Sequence, residues 1–418
     1  MAIESLETMA KGGIYDQIEG GFYRYTVDNR WLLPHFEKML YTQAEMIEVL
    51  YKAYKISKNI KYKNIIEQTI KETNHFFRNN EFLYFSASDA DSLNKQKNKE
   101  EGFYFLFTYD EVKNRLIANN IENHEEILEY LSFEEFGNFK DDLNILHINS
   151  DIKKPKNIEK AMDILKDIQA KKEKPFIDEK IITSWNAIFI NSLFLYSKID
   201  ESYLDDAIKS TNALIKNLYL NDILYHQKLR EQTPLKVGLL EDYTSVVELL
   251  LTAYQRSLEK KYLDLAIKLN DQTSKKFKKN NSIFLDEEKL YKADYEDRYY
   301  QSAISKYFHN NLTIANLTYD LELLQNTKNL LEYHYNFFSK KIFNSPSSIN
   351  AFIRKTRGDI ILKSNKKALL SRVKEIETVK YPYFLKKQED TNQFLACDEN
   401  SCFAFDDELK NIIKAIDK

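Results

Sequence analysis

Cysteine is nearly absent from this 418-residue chain, with two residues, and glycine and proline number only eight and six. Two cysteines exclude a disulfide framework. Glycine and proline lie far below their usual ~7% and ~5%, so long elements run without breakers. With Leu, Ile, Lys and Glu abundant, those elements are expected to be helices. Excess charge of one sign is lacking too: 61 basic against 64 acidic side chains leave a formal net charge of −3. That excludes the strongly basic footprint of a general nucleic-acid binder. No run approaches the ~18 apolar residues of a spanning helix, and mean hydropathy is −0.54. No membrane association is expected. The opening MAIESLETMAKGG lacks a basic-then-apolar export signal, so a cytoplasmic location is expected.

What is present repeats. Segments 46–77, 187–219 and 245–277 each read as an apolar amphipathic helix, a short connector and a second helix. Each carries a paired tyrosine: Tyr54/Tyr62, Tyr196/Tyr203 and Tyr254/Tyr262. A looser copy runs through 313–338. Repeated helical hairpins build a solenoid or a closed toroid. Strand-like stretches precede several hairpins: GGFYRYTVDNRWL, EFLYFSASDADS with EEGFYFLF, and ILYHQKLREQTPLKVGLL. Such insertions gather loops at one end of a ring, whereas a plain solenoid has short loops and ~34-residue units. The expectation is a mainly α, (α/α)6 toroid over residues 1–356, with the first helix of each hairpin on the inside. Residues 357–418 read as a small C-terminal α/β lobe: strands DIILKS and YPYFLKK around a helix, then TNQFLACDENSCFAF and a final helix.

Four of the eight glycines fall between Gly12 and Gly21, where unusual backbone geometry is expected. Residues 12–46, GGIYDQIEGGFYRYTVDNRWLLPHFEKMLYTQAEM, form the most specific stretch of the chain. They resemble the spermatogenesis-associated, thioredoxin-domain-containing family, whose members carry a six-hairpin glycosidase-like toroid. SASDADS with EEGFYFLFT, GNFKDDLNIL, PFIDEKIITSWNAIFI, GLLEDYTSVVELL and the closing CDENSC follow in family order. Two departures stand out. The family's thioredoxin-like domain and first toroid helix are not in this sequence, and DRYYQSAIS (297–305) replaces a Pro-Ser-Gly-Asn turn. One face of the ring, beside residues 3–11 and 313–355, is therefore expected to lack its usual cover and to be filled by a thioredoxin-like polypeptide as partner, or by self-association.

The candidate chemistry lies in those motifs. Asp16, between two glycine pairs, reads either as an acid, base or hydroxyl acceptor at the ring mouth, or as a turn-capping residue. Pro34–Leu40 reads as the opening of an inner helix. There His35 is a candidate proton carrier, and Glu37 is a candidate catalytic carboxylate or a first-turn anion. Asp178 and Asp242 complete the catalytic set, Asp242 also reading as a helix-start carboxylate. Arg24, Tyr25, Trp31, Asp89, Asp91, Trp185, Asn186 and Tyr243 are candidate ligand contacts, with Trp185 offering a face for a sugar ring. Cys397 and Cys402 read as two buried thiols or as a reversible disulfide. Neither zinc spacing nor a phosphate- or dinucleotide-binding glycine pattern is present, so no metal and no cofactor is expected. Two functions fit: an enzyme on a sugar-like ligand, either epimerase/isomerase or glycoside hydrolase, or a non-catalytic or redox-adaptor toroid that binds a ligand or partner and works with a thioredoxin-like protein. Hydrolysis needs two carboxyl groups ~5–9.5 Å apart; epimerisation needs an acid and a base astride one carbon.

Overall fold

The computed structural model describes residues 2–417. By compactness the chain divides into Met1–Ile181 and Ile182–Lys418, so the break falls inside the span read from sequence as the toroid. The fold is of the mainly α, helical-hairpin class expected for an (α/α)6 toroid.

In the first unit, α1 (Ala2–Lys11) precedes the glycine-rich loop, and α2 (Leu40–Ser57) and α3 (Ile60–Phe76) pack together as a hairpin. The hairpin turns at Lys58, which takes the left-handed backbone and donates to Tyr54 O, and Asn59 then caps α3 through Lys61 N. Helices α4 (Tyr109–Ala118), α5 (His124–Tyr130) and α6 (Ile158–Gln169) enclose a core around Phe107, Leu116, Leu128 and Leu165.

The stretch Pro34–Leu40 departs from expectation. It is not the start of a helix. β1 (Tyr25–Thr26) pairs with β2 (Pro34–His35), placing Thr26 opposite Pro34, and β3 (Lys38–Met39) follows before α2 begins at Leu40. Proline suits both a helix's first turn and a short strand that needs no N–H from it. Here cross-strand pairing decides, and Glu37 consequently faces no helix N-terminus. β3 pairs with β4 (Ala87–Ser88), which pairs with β7 (Ile177–Asp178), so the PHFEK, SASDADS and PFID segments meet in one small sheet. β5 (Asp91–Leu93) and β6 (Lys99–Glu101) form a separate hairpin.

The second unit contains three hairpins: α7 (Thr183–Tyr196) with α8 (Tyr203–Leu218), α9 (Leu240–Ser257) with α10 (Lys260–Phe277), and α11 (Ala303–Thr318) with α12 (Leu321–Phe338). α9 packs on both α7 and α11, so the first helices form the inner layer and their partners the outer one. Burial follows: α7 is apolar on every face, and Phe189, Phe194 and Tyr196 are fully enclosed. The strand hairpin β8 (Ile223–Leu229) and β9 (Leu235–Val237) leads into α9, as its alternating sequence indicates. After α13 (Pro346–Arg357) comes the α/β lobe. Its sheet runs β11 (Phe384–Gln388), β10 (Ile360–Ser364), β12 (Phe394–Cys397), β13 (Cys402–Asp406); β10 and β11 are parallel and the rest antiparallel. α14 (Lys366–Ser371), α15 (Val373–Ile376) and α16 (Leu409–Ile416) complete it. Among the described residues no helix is long and apolar enough to cross a membrane.

Candidate functional site

Two side-chain clusters in the first unit hold some of the expected residues, Asp16 in one and Arg24, Tyr25, His35 and Glu37 in the other. Gly20 and Gly21 have φ of +93° and +81°, and a Cβ on Gly21 would stand 2.8 Å from Glu72 Oε2. This bend brings Asp16 inward, to 5% exposure. Lys38 Nζ donates to Asp16 Oδ2 at 2.9 Å, to Glu72 Oε1 at 2.9 Å and to Gly20 O at 2.8 Å. Asp16 Oδ1 accepts from the backbone of Ile18 and Glu19. Burial by itself would lower the Lys38 ammonium; the Asp16 and Glu72 carboxylates outweigh it and hold it above its ordinary value. Beside this group Glu19 is pushed up to about 7, chiefly by burial and then by the Asp16 charge, while Tyr104 donates to its Oε1 at 3.1 Å. Asp16 therefore sits in a buried ion-paired cluster.

The second cluster is half-exposed. His35 Nδ1 meets Glu101 Oε1 at 2.6 Å, and Nε2 lies 3.4 Å from Glu37 Oε2, which Arg24 pairs at 2.9 Å. Tyr25 stacks on the His35 ring, with centroids 5.0 Å apart. The structure thus unites Arg24, Tyr25, His35 and Glu37. Trp31, half-buried, has a φ of +66°. Asp178 pairs with Lys180 at 2.9 Å, and Asp89 Oδ1 accepts from Asp91 N at 3.3 Å, each a local contact.

In the second unit the decisive residue is Asp242. It occupies the first turn of α9 and is fully buried. Its Oδ1 accepts from Ser184 N at 3.0 Å, and its Oδ2 from Leu239 N at 2.8 Å, so one carboxylate caps the start of α9 and reaches the start of α7. The same Oδ2 meets His226 Nδ1 at 2.8 Å. This hydrogen bond raises the imidazole above its ordinary value, against the opposing effect of burial. His226 shares its face of β8 with the buried Leu224 and Lys228. Among the described residues its Nε2 makes no hydrogen bond, leaving that nitrogen for a ligand or proton.

Glu241 stands next to this pair. Burial and then the neighbouring Asp242 charge push its carboxyl up. Trp185 Nε1 donates to Tyr300 Oη at 3.3 Å, and Tyr300 donates to Glu241 Oε2 at 3.0 Å. Glu241 and Tyr300 line a cleft of ≈ 480 Å3 whose other walls include Tyr291, Tyr299 and Arg298. His226, Glu241 and Asp242 each offer a ligand atom within 4.8 Å of the others, a donor set able to hold a cation. The two remaining candidates are core residues. Asn186 is buried and donates to Ile182 O at 3.0 Å, and Tyr243 packs edge-on to Phe277. Sequence reasoning missed Lys38, Glu72, Glu101, His226, Glu241 and Tyr300. The period-two pattern of LYHQK could have placed His226 on the buried face, and Tyr300 lay in the departing DRYYQSAIS segment.

An uncharacterised protein of Caenorhabditis elegans is 28% identical over 69% of this chain and 44% of its own length. Spermatogenesis-associated protein 20 of Mus musculus is 27% identical over 66% of this chain and 40% of its own, and that of Homo sapiens 26% over the same shares. The chain is similar to spermatogenesis-associated protein 20 over about two thirds of its own length. It spans about two fifths of the length of the curated relatives it matches. No family model matches it. Similar solved structures include a sugar epimerase from a ruminal bacterium (TM-score 0.49, 11% identity, 80% of this chain and 71% of that one). Cellobiose 2-epimerase of Spirochaeta thermophila gives a TM-score of 0.48 at 12% identity over 85% of this chain and 83% of its own.

Proposed function

We propose that this chain is an enzyme acting on a sugar-like ligand by proton transfer, of the epimerase or isomerase type, with His226 and Glu241 as its acid–base pair. The observation that carries this reading is the His226–Asp242 hydrogen bond beside Glu241 at a cleft. A buried carboxylate fixes the imidazole so that Nε2 is the working nitrogen. Glu241, pushed up by burial and by Asp242, is suited to hold a proton that a base such as His226 complements. Deprotonation beside a carbonyl and reprotonation from another direction needs such a pair. Tyr299 and Tyr300 offer aromatic and hydroxyl contacts of the kind that suit a sugar. Hydrolysis through Asp242 has less support, because both its oxygens already accept hydrogen bonds. The test is exchange: reducing hexoses and a disaccharide incubated with the protein in D2O and followed by NMR at the carbon next to the carbonyl. Deuterium incorporation by the wild type and its loss in His226→Gln is the expected result. No incorporation into any of the sugars would sink the proposal.

A further inference from the structure

The two cysteines are bonded to each other, not two buried thiols. Cys397 ends β12 and Cys402 opens β13 directly opposite, with their Cα atoms 3.7 Å apart, closer than the ~4.4–6.8 Å usual for a disulfide. Between them Asp398 Oδ1 accepts from Asn400 N at 2.7 Å and Ser401 N at 2.8 Å, which shapes the turn without help from the sulfurs. On its other side β12 pairs with β10, Cys397 opposite Ile361. The strands therefore hold the sulfurs side by side whether or not they are joined. A disulfide stabilises chiefly by restricting the unfolded chain, and least for the shortest loops. One with a sequence separation of 5 across strands already paired is a weak staple. The bond calls for another explanation.

The two sulfurs differ in setting. Cys397 is 1% exposed, whereas Cys402 faces solvent. Lys363 Nζ stands 3.9 Å from Cys402 Sγ. It is kept there by Tyr319, whose ring it overlies at 4.5 Å and which also carries Lys387 at 3.9 Å. A fixed cation favours the thiolate, the form that attacks disulfides.

We propose that Cys397 and Cys402 form a thiol–disulfide exchange centre, with Cys402 as the attacking and Cys397 as the resolving residue. In the reduced chain the Cys402 thiolate attacks one sulfur of a partner disulfide, and the partner's other sulfur leaves as a thiolate. Cys397 then gives its proton to solvent and attacks the Cys402 sulfur. The intrachain bond re-forms and the partner's second sulfur departs as a thiolate. Two electrons pass from the chain to the partner, and a partner dithiol returns them by the reverse route. The partner is a disulfide or dithiol, either a small thiol or a protein.

Trapping tests this. Reduced Cys397→Ser protein mixed with glutathione disulfide should accumulate one mixed disulfide on Cys402, while reduced Cys402→Ser should form about tenfold less. In the Cys397→Ser background, Lys363→Met should slow alkylation by iodoacetamide at pH 7 several-fold, with circular dichroism unchanged. Oxidised wild type offered glutathione or a protein dithiol separates the two partner sources by rate. Equal trapping at both cysteines, no effect of Lys363→Met, or a bond that neither thiol reduces in the folded protein would each overturn the proposal.

Discussion

Asp242 and His226 are held 2.8 Å apart by a carboxylate that simultaneously takes the backbone N–H groups of Ser184 and Leu239. One buried side chain thus orients an imidazole and ties together the starts of two inner helices. Its role in the fold and its role in the site cannot be separated by deleting it, but they can be separated by titration.

Asp242→Asn should bring the His226 pKa down toward its ordinary value, because the hydrogen bond to Asp242 is the main cause that raises it. The folded value lies above the unfolded one. The stability this pair contributes is therefore complete below the unfolded pKa of ~6.5 and fades as pH rises through the folded value. NMR titration of the His226 ring, with urea unfolding at pH 6 and pH 8, measures both. A His226 pKa unchanged in Asp242→Asn would break the coupling.

Lys38→Met should cost about 3–5 kcal/mol, the range for breaking a buried ion pair from one side. The substitution leaves Asp16 and Glu72 enclosed without their cation. Adding Asp16→Asn to Lys38→Met should recover part of the loss, since one uncompensated charge is removed. Urea denaturation of the single and double variants gives the comparison, and a single-variant cost under about 1 kcal/mol would mean that water reaches the cluster.

The hairpins were legible because most helices carry an amphipathic period, and the uniformly apolar α7 stands out as a buried run. The tyrosine pairs mark α2/α3, α7/α8 and α9/α10, and the lobe's strands and helices fall where their patterns placed them. Pro34–Leu40 was not legible, because proline fits a helix's first turn and a two-residue strand equally, and only pairing with Tyr25–Thr26 distinguishes them. The Asp16–Lys38–Glu72 cluster joins residues 22 and 34 positions apart. Ion pairs at that distance leave no local period. Asp242 and Trp185 were found because they sit at helix starts; His226 and Tyr300 lie on a strand and in a loop, where alternation and hydroxyl chemistry are weaker signals.

Tyr300→Phe should push the Glu241 carboxyl higher still, because the tyrosine hydroxyl donates to Glu241 Oε2 and lowers its pKa. If Glu241 works as proposed, the corresponding limb of the pH–rate profile should move to higher pH while ligand affinity changes little. Trp185 Nε1 would lose its acceptor on Tyr300, so Trp185→Phe added to Tyr300→Phe should cost less than the two changes summed. Additive effects would show that the three residues do not act as a relay.

Glu19 gives the chain a pH response of its own. Its carboxyl is pushed up to about 7 by burial first and by Asp16 next, with Lys38 and the Tyr104 hydrogen bond opposing. Its Oε2 is enclosed without a hydrogen-bond partner, which suits a protonated acid better than an anion. The unfolded chain releases this proton near pH ~4.3. Below that, both states hold it and the contribution to stability is complete. Between there and about 7 the folded state holds a proton that the unfolded state has lost, so stability falls as pH rises; above about 7 the difference is constant. Glu19→Gln has no proton to lose and keeps a donor at that place. It should flatten the decline between pH 5 and pH 7 and leave the protein more stable than wild type at pH 8. His226 declines over an overlapping range, so the comparison must be the difference between Glu19→Gln and wild type at each pH, read from urea unfolding. Parallel curves for the two proteins would mean that Glu19 is ionised in the fold and that Lys38, not burial, sets its charge.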